Sequence, residues 1–155
     1  MKDPIRKLDE PRPAPTPKPV RRVAAALIVR GENSTREIFI CQRRAGHPMG
    51  LKWEFPGGKI EPGETSPQAL ARELNEELYI DATIGDRITT VHHTYRNGGA
   101  LEIEFFLVRD FQGEPVNRIP IFQQMLWTPF AALPGYDFLA ADLTLIRDLA
   151  DGKLL

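Results

Sequence analysis

Residues 57–78 constrain this chain more than any other stretch. A turn rich in glycine and proline, Gly57-Gly58-Lys59-Ile60-Glu61-Pro62-Gly63-Glu64, runs straight into a segment with helical periodicity. Thr65 or Ser66 supplies a hydroxyl N-cap, Pro67 suits the first turn, and Gln68 stands three residues after Thr65, the spacing of a capping box. From that start Leu70, Ala71, Leu74 and Leu78 share one face, while Glu73, Glu76 and Glu77 occupy an adjoining arc of about 100°. Like charges at this spacing oppose helix formation by roughly a few tenths of a kcal/mol each. The cluster is either a solvated acidic face or three carboxylates aimed at one point, where a divalent cation would offset the repulsion. Two neighbours favour the second reading. The glycines let the backbone approach a ligand closely, and Arg72, beside Glu73 and four residues before Glu76, can orient the carboxylates. All-oxygen ligation with open positions suits Mg²⁺, with Mn²⁺ as the alternative.

Short strands surround this segment. Val23 to Val29 is apolar throughout and bounded by Arg22 and Arg30, as expected of a strand buried on both faces. Glu37 to Gln42 reads as its hairpin partner across Gly31-Glu32-Asn33-Ser34. Ile88 to Tyr95 and Leu101 to Val108 make a second hairpin across Asn97-Gly98-Gly99, with Leu101, Ile103, Phe105 and Leu107 alternating onto one face. A last strand lies near Gln124 to Trp127, followed by a short helix start at Thr128-Pro129. A helix from about Ala140 to Leu149 has Leu139, Leu143, Ile146 and Leu149 at the spacing of a core-facing stripe. Strands interleaved with helices on a mixed sheet imply an α/β sandwich.

At 155 residues with 42% hydrophobic content, a single domain can bury a core without staples. Cys41 is the only cysteine, which excludes an internal disulfide framework and fits a reducing compartment. The longest apolar run falls far short of the roughly 20 residues that span a bilayer, and the N-terminus lacks a secretory apolar stretch, so the expected location is the cytoplasm. Residues 1–21 form a separate unit: six prolines in the first 20 positions, and seven Lys/Arg in residues 1–22 against Asp3, Asp9 and Glu10. This reads as a largely disordered basic tail, a solubilising extension rather than a ligand for a proline-binding domain. The folded domain is expected over 22–155. Its mildly acidic balance argues against a nucleic-acid polymer as partner.

The run Gly58-x5-Glu64-x7-Arg72-Glu73-Leu74-x-Glu76-Glu77-x-Tyr79-Ile80 resembles the Nudix box. Glu37 to Arg44 and Trp53-Glu54-Phe55-Pro56-Gly57-Gly58-Lys59 are similar to the corresponding segments of MutT-like nucleoside triphosphate pyrophosphohydrolases. The resemblance implies an α/β/α sandwich acting on a small nucleotide. By carry-over, Glu73, Glu76 and Glu77 hold Mg²⁺ with a backbone carbonyl of Gly57 or Gly58. Glu73 is the first choice for the base that activates water, with Arg72 orienting it. Lys59 or Arg43 neutralises phosphate charge, Glu54 and Phe55 belong to the substrate-binding segment, and Asp142 falls where such enzymes read the edge of the base. Two departures stand out. Tyr79 replaces the glycine that ends the family's helix, so the helix end should be strained or its loop rerouted. The acidic residue often found before the final tryptophan-bearing strand is missing from Ile119-Pro120-Ile121-Phe122-Gln123-Gln124, which leaves the number of cations open.

Weaker candidates are His47, in a loop that could border the nucleotide, and His92 and His93, which a strand sends to opposite faces. Trp53 and Phe55 could stack on a base, with one of them expected in the core. Arg43 and Arg44 should likewise diverge, so that at most one reaches phosphate. The expected activity is hydrolysis of a nucleoside triphosphate, oxidised or pyrimidine, to monophosphate and pyrophosphate. The rivals are hydrolysis of another nucleoside diphosphate derivative such as ADP-ribose, and nucleotide binding without turnover.

Overall fold

The computed structural model describes residues 19–118 and 120–155. Nine strands and two α-helices follow one another as β1 (Val20–Arg30), β2 (Glu37–Arg43), β3 (Trp53–Glu54), β4 (Gly57–Lys59), α1 (Ser66–Leu78), β5 (Asp81–Thr83), β6 (Arg87–Thr94), β7 (Ala100–Val108), β8 (Asp110–Gln112), β9 (Phe122–Pro129) and α2 (Leu143–Ala150). The seven-stranded mixed sheet is organised by β1. It runs parallel to β7 from Val20↔Ala100 to Ile28↔Val108 and pairs antiparallel with β4 at one end and with β2 at the other. Beyond these, β6 pairs with β7, while β2 carries both β3 and β9. β5 and β8 form a separate two-stranded sheet.

An apolar strand in the middle of a sheet must feed both faces, and β1 does so residue by residue. Ala24, Ala26 and Ile28 pack with Leu70, Leu74 and Leu78 of α1. Ala25, Leu27 and Val29 pack with Leu145, Ile146 and Leu149 of α2 and with Phe55, Phe105 and Phe138. Two apolar layers on either side of one sheet make an α/β/α sandwich. No helix among the described residues is long and apolar enough to cross a membrane.

Several boundaries differ from the sequence reading. β1 begins at Val20, inside the segment read as tail, because Val20 and Arg21 find partners in Ala100 and Leu101. The rest of the tail, residues 1–18, lies outside the described residues. The helix expected from Ala140 is interrupted: a 3-10 turn covers Ala140–Asp142 and α2 starts at Leu143. That tighter turn rotates the helix, so Leu143 is exposed and Leu145 takes the core position instead. Tyr79 adopts the left-handed conformation itself, φ 58°, and its N–H donates to the Asn75 carbonyl. The helix therefore ends as a glycine would end it, at the cost of strain that the Arg118 guanidinium, 4.0 Å from the ring centroid, partly offsets.

The start of α1 matches the sequence in detail. The Gln68 N–H donates to Thr65 Oγ1 at 3.2 Å, and the Thr65 N–H donates to Gln68 Oε1 at 2.9 Å. Thr65→Ala should cost about 1 kcal/mol, read as a fall of about 2–4 °C in Tm by thermal melting; an unchanged Tm would show that the cap does not hold the helix.

Candidate active site

The site is built where α1 crosses β4. A Cβ on Gly57 would stand 2.1 Å from the Ala24 carbonyl oxygen, and one on Gly58 would stand 2.4–2.7 Å from the Glu73 carboxylate. Glycine is therefore required twice: at Gly57 so that β4 can lie against β1, and at Gly58 so that the Glu73 carboxylate can lie on the strand. The close approach is to β1 and to the Glu73 carboxylate.

Arg72 organises the carboxylates around this contact. Its Nε and Nη2 donate to Glu64 at 2.8 and 2.9 Å, its Nη1 donates to Glu73 at 3.1 Å and to Glu76 at 3.3 Å, and its Nη2 also donates to the Lys59 carbonyl at 3.2 Å. The fork on Glu64 is bidentate, the geometry a guanidinium and a carboxylate share best. Those hydrogen bonds hold the Glu64 carboxyl below the usual carboxylate range. Glu64, a fixed position of the motif with no role assigned from the sequence, is thus the anchor of the orienting arginine.

The expectation that Glu73, Glu76 and Glu77 converge on one point needs correction. Arg72 draws Glu76 outward, leaving it 57% exposed, whereas Glu77 turns inward. Burial pushes Glu77 up to about 8, reinforced by the charge of Glu73, a hydrogen bond shared with Glu73, and the charges of Glu54 and Glu76. Glu54 is itself raised by burial, against the lowering effect of Arg43. Beneath them Cys41 is fully buried, and its thiol is pushed up by burial and by Glu54 and Glu77. Among the described residues no three His, Cys, Asp or Glu side chains form a group that could hold a metal ion in this arrangement. The donors nonetheless fit a hard divalent cation in kind: they are all oxygens, and burial together with the like charge of its neighbours raises Glu77.

Alongside lies an open cleft of about 360 Å³ lined by Arg43, Arg44, His47, Glu54, Pro120, Ile121 and Phe122. Arg43 donates through Nη1 to Glu54, at 3.2 Å to Oε2, and through Nε to the Pro48 carbonyl at 3.0 Å; Arg44 Nη1 donates to the Pro120 carbonyl at 2.8 Å. Both arginines reach the cleft, contrary to the strand-based expectation, because β2 ends at Arg43 after a register shift between Gln42 and Arg43. Strict alternation does not extend to Arg44. His47 borders the cleft as well, whereas His93 packs on Tyr95 and His92 is exposed. Lys59 is exposed at the end of β4.

Phe55 sits elsewhere. It is 5% exposed, with ring centroids 6.0 Å from Phe105 and 5.4 Å from Phe138. Trp53 is equally buried against Tyr136. Alternation along residues 53–55 turns both rings inward and leaves Glu54 on the cleft side, so Phe55, expected in the substrate-binding segment, packs in the core and not on the cleft wall. Asp142 is 3% exposed, and its Oδ1 has no hydrogen-bond partner among the described residues. Burial, then the charge of Glu54, pushes it up to about 7.

A carboxyl raised from 3.8 to about 7 binds a proton in the folded chain over a range where the unfolded chain has released it. Stability then falls as pH rises through that window and stays lower above it. Asp142→Asn, which cannot ionise, should match the wild type near pH 4 and exceed it by up to a few kcal/mol at pH 8. Melting in EDTA at the two values checks this, and a constant Tm difference would contradict it.

The NUDIX domain family model matches residues 20–148. The CTP pyrophosphohydrolase of Escherichia coli is 37% identical over 126 residues, covering 81% of this chain and 87% of that protein. The 8-oxo-dGTP diphosphatase of Haemophilus influenzae is 35% identical over 132 residues, covering 85% and 93%. Among solved structures, the MutT NUDIX hydrolase of Burkholderia pseudomallei superimposes with a TM-score of 0.73 at 26% identity, covering 84% of this chain and 98% of that one. With its fold, its acidic helix and its glycine-lined β4 all accounted for, this chain belongs to the NUDIX family, among the MutT-like hydrolases.

Proposed function

We propose that the chain hydrolyses nucleoside triphosphates to nucleoside monophosphate and pyrophosphate with the help of a divalent cation, Mg²⁺ by the hardness of the donors and Mn²⁺ as a substitute. The observation that carries this reading is the Glu73 carboxylate, laid on the backbone at Gly58 and held there by Arg72, beside a cleft that contains two arginines. Relatives named for 8-oxo-dGTP and for CTP support the substrate class.

Water attacks a phosphorus of the triphosphate chain, the bond to the bridging oxygen breaks, and pyrophosphate leaves. Glu73 accepts the proton of that water, and Arg72 fixes the carboxylate so that it need not reorganise during the step. Glu77, Glu76 and the Gly57 or Gly58 carbonyl are the remaining candidate ligands, with Glu54 close enough for its charge to act on Glu77. The cation, when bound, neutralises phosphate oxygens and assists activation of water. Arg43, Arg44 and Lys59 supply positive charge for the phosphate chain. Asp142, buried with a free oxygen, is the group for the base edge: protonated it offers a donor and an acceptor, ionised it offers two acceptors. The buried free thiol of Cys41 fits action in the reducing cytoplasm.

The test is a panel of ordinary, oxidised and methylated nucleoside triphosphates plus ADP-ribose, assayed with Mg²⁺, Mn²⁺ or EDTA and scored for pyrophosphate, phosphate and AMP. Pyrophosphate from at least one triphosphate, lost in EDTA, is expected. Glu73→Gln should lower kcat by about 10²-fold or more with Tm retained. Turnover of ADP-ribose alone, or nucleotide binding without any product, would overturn the proposal.

A further inference from the structure

A second carboxylate lies under α1, away from the cleft and outside the family's helix motif. Glu104 on β7 is 8% exposed, on the face of the sheet that α1 covers. It accepts a hydrogen bond from the Ser66 hydroxyl at the first turn of α1 and another from Arg87 Nη1 at 3.2 Å, and Arg22 Nη2 lies 3.6 Å away. An acid in this position is costly to bury unless it is paired. Its neighbours toward the end of the strand, Phe106 and Val108, fill the same layer with apolar atoms.

The sheet register gives this contact its meaning. Gly58, Ala24 and Glu104 are partners across β4, β1 and β7, so they form one row beneath α1. Two strand spacings separate the ends of that row, about 9.6 Å. Ser66 and Glu73 are seven residues apart, two helical turns on nearly the same face, about 10.5 Å along the axis. The helix thus lies along the row, touching it at one end through Ser66 on Glu104 and at the other through Glu73 on Gly58. Ala24, with a single methyl group, completes the row between the two contacts.

We infer that Glu104 is a positioning residue: by holding Ser66, it sets where the Glu73 carboxylate comes to rest over Gly58. The hydrophobic contacts of Leu70, Leu74 and Leu78 press α1 onto the sheet by a non-directional force, whereas the hydrogen bond at the first turn is directional and ties one end of the helix to one residue of the row. Arg87 and Arg22 contact the same carboxylate and aim it at the helix. The inference rests on the proposed role of Glu73.

The test compares Ser66→Ala and Glu104→Gln with Ser66→Thr, which keeps the hydroxyl, and with Leu149→Ala, which weakens the opposite core layer without touching α1. Two readouts are needed: kcat and KM for the best triphosphate, and Mn²⁺ affinity measured by calorimetry without nucleotide. Ser66→Ala and Glu104→Gln should each lower kcat about tenfold with KM little changed and should weaken Mn²⁺ binding severalfold; Ser66→Thr should restore both. Leu149→Ala should lose Tm without either effect. Unchanged kcat and Mn²⁺ affinity in both variants, or equal losses in Leu149→Ala, would overturn the inference. An inactive wild type that binds Mn²⁺ would sink the proposed reaction alone, since the metal readout still decides whether Glu104 positions the helix.

Discussion

Arg72 spends every face of its guanidinium on the acidic segment, and the arrangement of the site follows from that. Glu64 takes the bidentate fork, Glu73 and Glu76 share the Nη1, and the Lys59 carbonyl ties the group back to β4. Without this one cation, three glutamates and the Lys59 carbonyl would face one another with only water between them. Its charge is nevertheless too small for the carboxylates it gathers. Glu77 lies beyond its reach, and burial, then the charge of Glu73 beside it, pushes its carboxyl up to about 8. The imbalance is the physical basis for assigning a divalent cation to this helix.

The sandwich explains how so much charge is tolerated at one place. β1 divides its apolar side chains between two layers, and the two glycines of β4 bring the backbone close enough for Glu73 to rest on it. The carboxylate part of the site is therefore built on sheet and helix, whereas the wall of the neighbouring cleft comes from Arg43, Arg44 and His47 on one side and Pro120 to Phe122 on the other. The Arg44 bond to the Pro120 carbonyl joins those two walls. Variation in such loops can change which base is accepted without disturbing the carboxylates.

Much of this was legible in the sequence because it depends on local rules. The capping box, the double-faced β1, the β6–β7 hairpin and the glycine-to-helix junction are determined by residues within a few positions of one another. What escaped depends on contacts between distant segments. Glu104 alternates with Ile103 and Phe105 and so resembles an ordinary solvent-facing strand residue; only the placement of α1 buries it. Glu76 and Glu77 are adjacent carboxylates with opposite fates because Arg72 reaches one of them and Glu54 faces the other. Arg44 enters the cleft through a register shift that no propensity signals. Phe55 is drawn inward by Phe105 and Phe138, two rings fifty and more positions along the chain.

The carboxylates at this end of α1 are short of positive charge in the free protein. If Glu77 titrates near 8 in the free protein, it is protonated at pH 7 and must give up that proton to serve as a ligand. Calorimetric titration with Mg²⁺ at pH 7, repeated in buffers of different ionisation enthalpy, counts the protons released. The account predicts about one proton per ion, and little or none in Glu77→Gln; tight binding by the wild type with no proton released would contradict it.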